Sequence, residues 1–68
     1  MCLAKAYIGS EEHKEEVMRD VAWIGIEREG VVMVDLLGER RVAQARIKSV
    51  DLIHGIIMLE GDETNGTE

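Results

Sequence analysis

The apolar residues of this chain recur at every second position or in short β-branched runs, which glycines separate at intervals of roughly ten residues. Successive side chains of a strand point to opposite faces of a sheet, so a period of two indicates strands, whereas a helix repeats about every 3.6 residues. The pattern predicts an all-β fold, a small partly open antiparallel barrel of about six short strands that is SH3-like or similar.

Turn and breaker residues set the predicted boundaries. We predict strands at 2–8, near 17, and at 21–28, 31–37, 40–47, 50–53 and 56–60. Glu29-Gly30 is expected to form a tight hairpin turn, because glycine supplies the positive φ that such a turn requires. The polar run 9–16 is predicted as an exposed loop, with a helical turn capped by Ser10 as the alternative. Residues 1–61 then form one β domain, followed by a flexible tail at 62–68.

The small size of the chain limits its stability. A domain of 68 residues has room for one core and buries only about 60% of its unfolded surface. Cys2 is the sole cysteine, which excludes an internal disulfide and leaves a metal or a partner subunit as the stabilising element. The last predicted hairpin is aliphatic on both faces, and a chain this short cannot cover both, so we predict a homodimer.

Cysteine usage and hydropathy bear on location. A lone thiol fits a reducing compartment, and the N-terminal residues contain Lys5 but no apolar run typical of a signal peptide. Charged residues interrupt every hydrophobic segment, so none approaches the roughly 20 apolar residues needed to cross a bilayer. We therefore expect a cytoplasmic protein with no membrane partner.

Charge argues against nucleic acid as a general partner. Fourteen acidic and eight basic residues give a net charge of −6, which repels a phosphate backbone. A basic cluster of Arg40, Arg41, Arg46 and Lys48 nevertheless carries half of the positive charge. An RNA-binding or protein-interaction adaptor that uses this cluster is therefore the alternative function.

We predict from the sequence that the protein is not an enzyme. Ser10 and Ser49 have no paired histidine and acid at a recognisable spacing, and no glycine-rich phosphate loop follows a strand. His54 is expected at a hairpin tip, facing solvent, although imidazole is an acceptable nickel ligand. His13 lies among glutamates in a segment expected to be a solvated loop. Trp23 and Tyr7 are expected in the core or in a dimer interface.

Cys2 is the most reactive side chain of the chain, because a thiolate is both a nucleophile and a soft metal ligand. Removal of Met1 would leave an α-amine and a thiolate on one residue, which together close a five-membered chelate ring. Nickel and copper suit these nitrogen and sulfur donors. The alternative is that Cys2 is a small buried hydrophobic residue. One cysteine makes an incomplete site, and a symmetric dimer would double the donors.

Two short segments resemble a known family. The opening Met1-Cys2-Leu3-Ala4-Lys5 and the late segment Val50-Asp51-Leu52-Ile53-His54-Gly55-Ile56-Ile57 resemble the CooT family of small nickel-binding accessory proteins, which are linked to the maturation of carbon monoxide dehydrogenase. The resemblance implies a homodimer of barrel-like protomers in which Cys2 of each chain binds Ni(II) at or near the interface, with one ion per dimer. A nickel enzyme such as carbon monoxide dehydrogenase is then the expected client, and the resemblance implies that the protein acts as a metallochaperone.

Overall fold

The computed structural model describes residues 3–61, so Met1, Cys2 and the predicted tail at 62–68 lie outside the described residues. These described residues contain six strands: β1 (Ala4–Gly9), β2 (Lys14–Glu27), β3 (Gly30–Asp35), β4 (Arg40–Ala43), β5 (Ala45–Asp51) and β6 (Ile56–Gly61). The predicted all-β class is confirmed. Within the described residues, no helix is long and apolar enough to span a membrane.

The strands form one sheet in the order β4-β3-β2-β1-β6-β5, and the sheet curls into a half-barrel. Four of the neighbouring pairs are antiparallel, but β1 and β6 run parallel, with Lys5 opposite Ile56 and Ile8 opposite Leu59. The prediction of an antiparallel barrel therefore misses the parallel pairing of β1 with β6. Curling brings β3 into contact with β5, which encloses the inner face of the sheet.

The hydrophobic core lies on this inner face, where buried side chains of four strands, β1, β2, β3 and β6, meet. Its buried members are Ala4, Ala6, Met18, Val21, Val31, Met33, Ile57 and Leu59. Met33 and Leu59 are completely buried, and burial of each stabilises the fold by about 1.5–3 kcal/mol. No polar or charged residue within 3–61 is buried, so the core depends on apolar packing alone.

Strand β2 is longer than predicted, because part of the polar run and two predicted strands belong to it. Lys14 and Glu15 pair with the end of β1, and the Lys14 ammonium group lies 5.1 Å from the centre of the Tyr7 ring. Charged residues fit this part of the strand because their side chains are exposed to solvent. Asp20 interrupts the regular geometry with a φ of 57°, and the register with β1 and β3 shifts around it.

The second half of the chain contains two further differences from prediction. The segment predicted as one strand at 40–47 is divided at Gln44, whose side-chain amide donates a hydrogen bond of 2.7 Å to the carbonyl oxygen of Glu29. Strand β5 then ends at Asp51, whereas the prediction extended a strand to Ile53. The Asp51 carboxylate accepts backbone N–H bonds from the next turn and so favours the end of the strand there.

A candidate metal-binding rim

Register brings three segments to the same level of the sheet, at Val21 in the middle of β2. Ala4 pairs with Val21, which pairs with Asp35, while on the other side Ile56 pairs with both Lys5 and Asp51. The start of β1 and the β5–β6 turn at 52–55 therefore lie on one side of β2, and the β3–β4 turn at 36–39 lies on its other side. We call Leu3 and these two turns together the N-terminal rim.

The turn at 52–55 is organised by one carboxylate. Oδ1 of Asp51 accepts hydrogen bonds of 3.0 Å from the backbone N–H groups of Ile53 and His54, and Oδ2 lies 2.8 Å from Nδ1 of the His54 imidazole. A carboxylate only accepts, so this imidazole nitrogen is the donor. The side-chain hydrogen bond with His54 is the main cause that lowers the pKa of Asp51 below its ordinary value.

The turn at 36–39 is also organised by the carboxylate of the aspartate that precedes it. Oδ1 of Asp35 accepts the backbone N–H groups of Leu37 and Glu39 at 3.0 and 2.8 Å, and the N–H of Leu36 donates to the carbonyl oxygen of Asp20. Each rim turn therefore begins with an aspartate that binds the backbone of the following residues. In both turns the aspartate is followed directly by two aliphatic residues.

These aliphatic residues are exposed, whereas the sequence analysis predicted an uncovered aliphatic surface at the last hairpin only and not at Leu36 and Leu37. Leu52 and Ile53 are 70% and 90% exposed, and Leu36 and Leu37 are also exposed. Leu52 borders an open apolar pocket, which is lined further by Ala4, Val21, Ile24, Val50 and Ile57. Single exposed aliphatic residues are common, but two adjacent pairs in so small a domain are typical of interaction surfaces. The repeated order of aspartate and two aliphatic residues was the available sequence signal.

The start of β1 lies directly against the turn at 52–55. The backbone N–H of Lys5 donates a hydrogen bond of 2.8 Å to the carbonyl oxygen of Gly55. Gly55 has a φ of 68°, and a Cβ there would lie 3.1 Å from the carbonyl oxygen of Leu3, so glycine suits this close approach. Cys2 itself lies outside the described residues, but it is bonded to Leu3.

The remaining candidate residues lie elsewhere. The backbone N–H of His13 donates to the hydroxyl oxygen of Ser10 in an exposed bend next to β2, away from the rim. His54 is 69% exposed at the rim, as expected for a turn residue. Within residues 3–61, no group of three or more acidic or histidine side chains is placed to hold a metal ion. The expectation of a metal therefore depends on Cys2.

The predicted basic cluster is divided in the structure. Arg40 lies within 3.8 and 3.3 Å of carboxylate oxygens of Glu27 and Glu29, and Arg46 lies 3.5 Å from Glu60. Arg41 follows Arg40 in a strand, so its side chain points to the opposite face of the sheet. The described residues therefore do not present these cations as one continuous surface for a phosphate backbone.

Comparison with known proteins identifies the family. A family model described as the CO dehydrogenase accessory protein CooT matches residues 1–60. The chain belongs to the CooT family. The crystal structure of a candidate CooT from Carboxydothermus hydrogenoformans matches with a TM-score of 0.82 and 30% sequence identity, over 88% of this chain and 97% of that one. A search of curated proteins found no match.

Membership of the CooT family agrees with the resemblance seen in the two sequence segments. The matched residues include Cys2 and the whole N-terminal rim, so the family model covers every residue discussed as a metal ligand. CooT is described as an accessory protein of CO dehydrogenase, which assigns this chain to a family that assists an enzyme.

Proposed function

We propose that this CooT protein is a nickel metallochaperone, which binds Ni(II) through Cys2 and delivers it to CO dehydrogenase or a similar nickel enzyme. The observation that carries the proposal is the position of Cys2 as second residue in a chain of a CO dehydrogenase accessory family. Nickel is the cargo in this account. The lone cysteine favours the cytoplasm as the place of action.

The donor chemistry of Cys2 suits nickel. A thiolate is a soft ligand, and after removal of Met1 the α-amine of the same residue completes a five-membered chelate ring. These two donors leave the coordination of one ion incomplete. A second copy of the chain would supply the same two donors again, so we propose one Ni(II) for each pair of chains.

The N-terminal rim supports a homodimer as the functional unit. Leu52 and Ile53 are exposed in the turn that lies against the start of β1, and contact with a second copy would remove them from water. A two-fold axis at the rim would also bring together the two chain segments that carry Cys2. One interface would then both stabilise a small domain and assemble the metal site.

Titration with Ni(II) followed by native mass spectrometry tests this function. We expect the metal-free protein to take up one Ni(II) per dimer, and Cys2→Ser to abolish this uptake because the thiolate ligand is lost. Circular dichroism of the variant would establish that the fold is retained. Uptake of Ni(II) by Cys2→Ser at the wild-type concentration would contradict the proposal.

A further inference from the structure

We draw no further inference here: the strongest candidate, the open apolar pocket that Val21 and Ile24 of β2 line together with Val50 and Leu52, carries nothing, because no feature of the described residues shows what covers it.

Discussion

Two aspartates decide how strands end at the N-terminal rim. Asp35 and Asp51 each use one carboxylate oxygen to bind two backbone N–H groups of the turn that follows, so each ends a strand and exposes two aliphatic residues. Sequence reasoning identified Cys2 as the candidate ligand from its chemistry alone. It did not identify the partnership of Asp51 with His54, because the pairing depends on turn geometry that residue types alone do not specify.

Protonation of Asp51 should affect stability in acid. The side-chain hydrogen bond with His54 lowers the pKa of Asp51 in the folded protein. The resulting stabilisation is present above the ordinary carboxyl pKa of about 4 and is lost as pH falls through the lowered folded value. We expect Asp51→Asn to remove this part of the pH dependence. Urea unfolding of the metal-free protein at a series of pH values between about 5 and 2 would measure it.

The matched control for this measurement is Glu16→Gln. The pKa of Glu16 is also lowered, mainly by its side-chain hydrogen bond with Arg19, but Glu16 lies on β2 away from His54. Glu16→Gln should remove its own contribution and leave that of Asp51 in place. An Asp51→Asn variant whose free energy of unfolding changes with pH as steeply as that of the wild type would contradict the assigned hydrogen bond.

At the scale of elements, most strands were predicted from the sequence. The alternation of apolar and polar residues and the glycines at strand ends are both visible within a few neighbouring residues. A hairpin joins β2 and β3 as predicted, but its two-residue connection is 28–29 rather than Glu29-Gly30. Gly30 is the first residue of β3 and has the expected positive φ, 136°. The beginning of β2 was missed because its charged residues pair with β1, a partner that local composition does not reveal. The division at Gln44 was missed for the same reason, since its amide binds a distant carbonyl group.

Substitution of Gly30 tests the close packing at this hairpin. A Cβ at Gly30 would collide with the carbonyl oxygen of Ala43, and the positive φ adds strain to any other residue. We expect Gly30→Ala to lower the free energy of unfolding by more than about 1 kcal/mol. Gly38→Ala is the control, because Gly38 also has a positive φ but has open space around it. Urea unfolding measures both variants. If they lose the same free energy of unfolding, the contact with Ala43 is unimportant.

At the scale of the whole molecule, the topology depends on contacts between distant parts of the chain. Antiparallel hairpins follow from local turns, but the parallel pair of β1 and β6 joins the two ends of the domain. No periodicity within either strand encodes that partner. This pair nevertheless has the greatest consequence for the site, since it places the start of β1 against the turn that carries His54.

The proposed dimer depends on the exposed aliphatic residues of the rim. Leu52→Glu would place a charge in the interface and should weaken association by about 2 kcal/mol or more, the range of an interface hot spot. Size-exclusion chromatography with light scattering would follow the change from dimer to monomer. Val42→Glu is the matched control, because Val42 is partly exposed on β4, which in the order of the sheet is the edge strand opposite β5. An unchanged dimer in Leu52→Glu would exclude the rim as the interface.

Mixed dimers test most directly whether two chains hold nickel together. Wild-type protein and a mass-tagged Cys2→Ser variant can be mixed, exchanged and titrated with Ni(II), and native mass spectrometry then resolves the three dimers in one spectrum. The account predicts tight binding of one Ni(II) by the wild-type dimer alone, with the mixed dimer much weaker because it has lost one thiolate. A mixed dimer that binds Ni(II) as tightly as the wild-type dimer would contradict a shared site.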